Sequence, residues 1–203
     1  MRFVRIVLVV SAVLTGASYA GATPITFTET VTASGSLGAS SFTSTMVTLT
    51  ATGDTSNVIV KGPGWYWLEG VPISINVASL GITASLTDTG VIGSCQPNAC
   101  PSTSSAGGLF GDVSQDRDIL DTLSSAFSTY KLTTSIGPIT GTNLINPSTG
   151  FNTNDGVFRI TSADNPTFTA SVGSTATPEP SAMALLSLGL AVGLKLLRRR
   201  TTG

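Results

Sequence analysis

The sequence predicts an all-β protein: an antiparallel β-sandwich or jelly-roll-like ectodomain at residues 23–174, with a targeting segment at each end. Apolar and polar residues alternate in several short runs, and this period of two is typical of strands with one buried face. Glycine, proline and asparagine separate the runs, as expected for tight connections. The segment between the two ends is long enough for one domain with a sizeable core.

We expect eight or so strands. In residues 25–33 the odd positions are mostly apolar and every even position is threonine. Similar runs occupy residues 47–51, 71–77, 80–86, 130–136, 157–160 and 168–172, and the turn signal Asn154-Asp155-Gly156 precedes one of them. The only helix expected in the ectodomain is one or two turns at residues 118–125. Outward threonines fit β propensity and hydration; an ice-binding face is a far weaker alternative.

Residues 1–22 have the organisation of a secretory signal peptide. Arg2 and Arg5 are followed by the apolar run 6–14 and then by small residues. We expect signal peptidase to cleave after Ala20 or Ala22.

Near the C-terminus, residues 182–197 form an apolar run that predicts a hydrophobic helix, and a basic tail, 198–203, follows. Such a helix would span roughly 24 Å, somewhat short of a bilayer core of about 30 Å, although Lys195 can extend to the interface. Arg198, Arg199 and Arg200 form a stop-transfer cluster that should stay in the cytoplasm. The sequence therefore predicts an anchor in the inner membrane with the ectodomain outside.

The motif Pro178-Glu179-Pro180, a short hydrophobic helix and a basic cluster follow one another in residues 175–203. This segment resembles the PEP-CTERM sorting signal recognised by exosortases. The resemblance implies export across the inner membrane of a Gram-negative bacterium, temporary anchoring, cleavage near the motif, and transfer to the cell surface or an exopolysaccharide matrix. The same segment is sometimes labelled as the C-terminal domain of ice-binding proteins, which describes a sorting tail and indicates no activity. The ectodomain is similar to uncharacterised secreted proteins with this tail.

Charge and composition exclude several function classes. The chain has no histidine, which removes the common Ser-His and Cys-His nucleophile pairs and the usual zinc sites. Between the basic residues at the two ends, residues 6–194 hold four basic residues and all eleven acids, 4 − 11 = −7, which argues against nucleic acid as a partner. We expect no cofactor.

Cys95 and Cys100 enclose four residues in a chain directed to an oxidising compartment. We expect them to form a disulfide. Closing so short a loop stabilises the fold by only about 2 kcal/mol, so the bond should fix a loop. A redox-active or metal-binding pair is the alternative.

Trp65, Tyr66 and Trp67 form the densest aromatic cluster. On a strand the two tryptophans would share one face at a spacing of roughly 7 Å, as a flat platform for a sugar ring, with Lys61 or Glu69 as hydrogen-bonding groups. Packing in the core or over a sheet edge is the simpler interpretation of the same residues.

Four aspartates lie close together in the sequence. Asp112, Asp116 and Asp118 are candidate calcium ligands, but the spacing, with Asp121, misses the Asp-x-Asp-x-Asp-Gly loop. A solvated acidic loop is the simpler interpretation, and a carboxylate pair of a glycosidase is weaker still.

These observations predict an exported, exosortase-sorted protein that is not an enzyme, with a structural or adhesive role associated with exopolysaccharide. A carbohydrate-binding module that uses Trp65 and Trp67 is the alternative. A hydrolase that uses only carboxylates comes third.

Overall fold

A computed structural model of the chain describes residues 23–99 and 105–173, and it confirms the all-β class. Two antiparallel sheets form a sandwich-like arrangement. In chain order the strands of the described residues are β1 (Pro24–Leu37), β2 (Ser40–Asp54), β3 (Ile59–Gly62), β4 (Trp65–Val71), β5 (Ile73–Val77), β6 (Ile82–Ser85), β7 (Gly90–Cys95), β8 (Gly107–Asp112), β9 (Arg117–Leu123), β10 (Ile136–Thr140), β11 (Thr142–Leu144), β12 (Phe151–Thr153), β13 (Gly156–Ala163) and β14 (Thr167–Val172).

The first sheet has the strand order β10-β14-β1-β2-β5-β6, and the hairpin β12-β13 pairs with the C-terminal half of β1. The second sheet has the order β11-β9-β8-β7-β4-β3. The turn predicted at Asn154-Asp155-Gly156 connects β12 and β13, as expected.

The threonines of β1 face outward, as the alternation predicts. Thr28 lies opposite Thr50 of β2 and Thr169 of β14, and Thr30 lies opposite Thr48 and Thr167. Ordinary β propensity and hydration account for this hydroxyl-covered face, and ice binding stays a hypothesis.

The core between the sheets contains an aromatic cluster centred on Phe168. Its ring centroid lies 6.2 Å from those of Phe27 and Phe110, 5.3 Å from that of Phe127 and 6.4 Å from that of Tyr130. All four pairs are tilted or edge-to-face, the geometry that aromatic quadrupoles favour. Rings from both sheets and from the segment after β9 therefore meet at one point.

Two local predictions are wrong. Residues 118–125 are not helical: β9 pairs with β8 as far as Leu123, and only a short 3-10 helix, Ser125–Phe127, follows. Residues 130–135 are not a strand, although Tyr130 and Leu132 are buried as the alternation suggested. At residues 130–135 the side chains that seal the core come from a turn-rich connection, so their burial did not require a sheet partner.

Several expected features lie outside the described residues: the signal peptide 1–22, the motif Pro178-Glu179-Pro180, the helix 182–197 and the cluster Arg198, Arg199 and Arg200. Within residues 23–99 and 105–173, no helix is long and apolar enough to cross a membrane.

Gly108 provides a test of the packing between the sheets. A Cβ at this position would lie 2.8 Å from Cε1 of Phe127 and 3.3 Å from Cε2 of Phe168. We expect Gly108→Ala to destabilise the fold by roughly 1–3 kcal/mol, because the rings would have to move. Urea unfolding measures the difference.

Gly62→Ala is the matched control, because a Cβ there would meet nothing within 4 Å. Equal stability of the Gly108 and Gly62 variants would contradict the packing described for Phe127.

Candidate functional site

The candidate site lies on the outer face of the second sheet. Leu68, Ile92 and Phe110 point into the core, so the residues that alternate with them point outward. One outward row crosses four strands in the order Trp67, Gly93, Leu109 and Asp121. Strand pairing therefore brings the aromatic and the acidic candidates, which are far apart in sequence, onto one surface.

Two adjoining cavities open on this face. The first has a volume of about 270 Å³ and is lined by Trp65, Trp67, Asp112 and Asp121, among others. The second, of about 410 Å³, extends toward Leu144 and Pro147. Both cavities are lined by Asp116, Arg117, Asp118 and Asp121. The acidic group thus lies where the two cavities meet.

The two tryptophans share one face of β4, as predicted, but the flat platform is wrong. Their ring centroids lie 5.4 Å apart and the rings are nearly perpendicular, at 83°. Neighbouring indoles gain from this edge-to-face contact, which coplanar rings would lose. The pair therefore forms an angular wall of the first cavity. Tyr66, between them, packs against the core.

Lys61 and Glu69, the predicted hydrogen-bonding groups, bind each other. Lys61 Nζ lies 2.6 Å from Glu69 Oε1 and 5.3 Å from the ring centroid of Trp67. The ammonium thus has a carboxylate and an indole face as partners. Lys61 is thus restrained beside Trp67, and neither Lys61 nor Glu69 lines the two cavities.

Two of the aspartates are buried in the cavity wall. Asp112 is 1% exposed and Asp121 is 5% exposed. Asp112 Oδ1 accepts a hydrogen bond from the backbone N–H of Ser114, at 2.8 Å, which fixes the turn between β8 and β9.

Four polar atoms of cavity-lining side chains have no hydrogen-bond partner among the described residues. They are Nε1 of Trp65, Nε1 of Trp67, Oδ2 of Asp112 and Oδ1 of Asp121. Buried polar atoms in folded proteins are nearly always paired, so such a concentration is unusual. The cavity wall offers both donors and acceptors to a polar ligand.

Burial and neighbouring charges raise the pKa values of two acids at the site. Burial first, and then the charges of Asp118 and Glu29, raise the pKa of Asp121 well above its ordinary value. Asp118 has exposed surface, but the cavity wall desolvates its carboxyl group; this effect and the nearby charge of Asp116 raise its pKa to about 6. The site can therefore change its charge near neutral pH.

Glu29 lies behind the site, on the core side of the second sheet. It occupies an apolar position of the β1 alternation, is fully buried and accepts a hydrogen bond from the hydroxyl of Thr122, next to Asp121. Burial raises the pKa of Glu29 well above its ordinary value. Glu29 was not identified as a residue of interest from the sequence. A signal was available, because Glu29 is an acidic residue in a row of apolar positions.

The calcium hypothesis gains no support. Asp112, Asp116 and Asp118 all line the first cavity, but in residues 23–99 and 105–173 no group of three or more acidic, cysteine or histidine side chains is arranged to hold a metal ion. One oxygen of Asp112 is already used in the turn.

Cys95 ends β7, is buried and also lines the first cavity. Its expected partner, Cys100, lies outside the described residues, so the disulfide stays a prediction.

Comparison with known proteins identifies the C-terminal segment. Residues 176–200 match the PEP-CTERM protein-sorting motif. The chain has no significant match among curated proteins or among solved structures. The motif implies export and processing by exosortase. The fold and the motif together define an exosortase-sorted β-sandwich protein, with a PEP-CTERM signal as the resemblance predicted.

The buried Glu29 predicts how stability depends on pH. In the unfolded chain its carboxyl loses a proton near the ordinary value of 4.5, whereas the folded protein keeps the proton to higher pH. Stability is therefore greatest below that ordinary value and falls as the pH rises toward the folded pKa, by up to about 1.4 kcal/mol per pH unit for one group. We expect Glu29→Gln to reduce this fall.

Urea unfolding of both proteins across this pH range measures the effect. Asp118 and Asp121 contribute a fall of the same sign in both proteins. Because the charge of Glu29 also raises the pKa of Asp121, the difference between the two curves reports on Glu29 together with its coupling to Asp121. Parallel curves would contradict a protonated, buried Glu29.

Proposed function

We propose that the processed protein is a non-catalytic component of the cell surface or extracellular matrix that binds polysaccharide in the two adjoining cavities. This proposal combines the adhesive role and the carbohydrate-binding alternative expected from the sequence. The observation that supports it most directly is that one cavity is lined both by Trp65 and Trp67 and by the buried Asp112 and Asp121. Sugar-binding sites need this combination, since sugar rings have apolar C–H faces and hydroxyl groups at their edges.

The unpaired atoms support a hydroxylated ligand. The indole N–H groups can donate to sugar oxygens, and Asp112 Oδ2 and Asp121 Oδ1 can accept from hydroxyls. Such hydrogen bonds would satisfy groups that are buried without partners, which is more favourable than leaving them unmade.

The continuity of the two cavities favours a chain over a single sugar. The second cavity begins at the residues that the two share and continues past Leu144 toward Thr149. Several consecutive units could contact the protein along this path.

The motif Pro178-Glu179-Pro180 supports the proposed location. Signal peptidase would remove residues 1–22, the helix 182–197 would hold the chain in the inner membrane, and exosortase would release it near the motif. Exopolysaccharide would be the partner met outside the cell.

A carboxylate-only hydrolase is the second candidate, because the raised pKa of Asp118 suits a general acid. We favour binding, since burial and the neighbouring charge of Asp116 already account for the raised pKa of Asp118, which therefore does not require a catalytic role. Reducing ends released from a bound glycan, and lost in Asp118→Asn, would instead indicate hydrolysis.

Glycan binding is tested with the exported, processed protein on a glycan array. We expect binding that the double variant Trp65→Ala, Trp67→Ala weakens by about tenfold or more, because aromatic contacts with the ligand are lost.

Thr50→Ala, on the outer face of the first sheet, is the control and should bind like the unaltered protein. Thermal unfolding of each variant separates lost binding from lost folding. The proposal fails if the unaltered protein binds no glycan.

The sorting motif predicts a change in the mature mass. We expect the triple variant Pro178→Ala, Glu179→Ala, Pro180→Ala to keep its C-terminal segment entirely, because the processing enzyme loses its recognition sequence. Mass spectrometry of the exported and membrane fractions measures this.

The neighbouring variant Thr177→Ala should be processed normally. If the triple variant has the normal mature mass, the motif has no role in processing.

A further inference from the structure

The charge of the site points to a more specific ligand class, an inference that rests on the proposed function. Among the described residues, the first cavity is lined by four aspartates, Asp112, Asp116, Asp118 and Asp121, and by a single base, Arg117. The guanidinium of Arg117 is directed to Thr149, with its Nη1 3.5 Å from Thr149 Oγ1. The end of the cavity near the tryptophans is therefore left with acidic groups, which repel anionic sugars.

The buried oxygens are suited to a cationic donor. Asp112 and Asp121 are more than nine-tenths buried, and each has a carboxyl oxygen without a partner among the described residues. A protonated amine carries N–H donors and a charge, so it can pair with such an oxygen and stabilise the ionised form of the carboxyl, which burial by itself disfavours. A neutral hydroxyl would stabilise that form less.

The indoles favour the same ligand. Ammonium groups are attracted to the face of a tryptophan ring, and the contact between Lys61 and Trp67 shows one such pair already formed on this strand. An amine held against Trp65 would combine an aromatic contact with nearby carboxylates, which is the environment that Lys61 itself has.

A metal ion is a poorer match for this charge. The described part of the chain contains no group of three ligating side chains arranged around a common point. An organic ammonium needs hydrogen bonds and an apolar surface, and both are present in the cavity wall.

We infer that the first cavity selects a sugar unit with a free amino group, a hexosamine without its N-acetyl group, as part of a polysaccharide. Asp121 binds the amine, Asp112 and the tryptophans contact the rest of the sugar unit, and the second cavity receives the next units of the chain.

The inference is tested by calorimetric titration of the processed protein near neutral pH with four probes. These are a β-1,4-linked glucosamine hexamer, the N-acetylglucosamine hexamer, the glucose hexamer and a hexalysine peptide. We expect the glucosamine hexamer to bind about tenfold or more tighter than each of the others, the difference typical of a charge-assisted hydrogen bond. Its affinity should also fall with added salt.

Two variants assign the effect to the cavity. Asp121→Asn should reduce binding of the glucosamine hexamer about tenfold and leave the weaker binding of the other two hexamers unchanged. Asp118→Asn gives a second measurement at an exposed position that tolerates substitution, and we expect a decrease there too. The control Asp164→Asn removes the same charge from an exposed site elsewhere and should have no effect.

Each outcome has a distinct meaning. Equal or tighter binding of the acetylated or glucose hexamer overturns the inference and leaves the proposed glycan-binding function intact. Hexalysine that binds as tightly as the glucosamine hexamer also overturns it, because the site would then recognise charge alone. Failure of all three hexamers to bind also overturns the inference, and the glycan array then decides separately whether the proposed glycan-binding function holds.

Discussion

The contact between the two sheets around Phe168 is the constraint on which the rest of the structure depends. Phe27 and Phe168 come from the first sheet, Phe110 from the second, and Phe127 and Tyr130 from the segment after β9. Glu29 lies directly opposite Phe168 on the neighbouring strand and accepts a hydrogen bond from Thr122 of the second sheet. Together, the aromatic contacts and this hydrogen bond fix the position of β9. This strand carries Asp118 and Asp121 on the outer face.

The outer faces of the two sheets differ in chemistry. The first is covered by threonines in register, such as Thr28, Thr50 and Thr169, which give hydrogen-bonding capacity without charge. On the second, the acids gather beside two tryptophans. Because the acidic cluster lies on the second face, that face is the preferred side for a cationic or polar ligand, and the cavities lie there.

Prediction from sequence succeeded where local pattern and burial coincide. The alternation in β1 and the turn at Asn154-Asp155-Gly156 were identified correctly, because period and turn chemistry are local properties. Strands β7 and β8 were missed: their glycines hide the alternation, since Gly93 and Gly108 sit where neighbouring side chains take up the space. The helix expected at 118–125 failed because pairing with β8 overrides local preference.

The sequence by itself determined the fold class, the outward threonines and the sorting segment, because each depends on a pattern within consecutive residues. Only the tertiary structure decided the site. Trp67 and Asp121 are 54 positions apart along the chain (121 − 67 = 54), yet they occupy one row across four strands. The angle between the two indoles and the burial of Glu29 were likewise decided by packing. Strand order and register are set by long-range contacts, and a single sequence does not state which strands become neighbours.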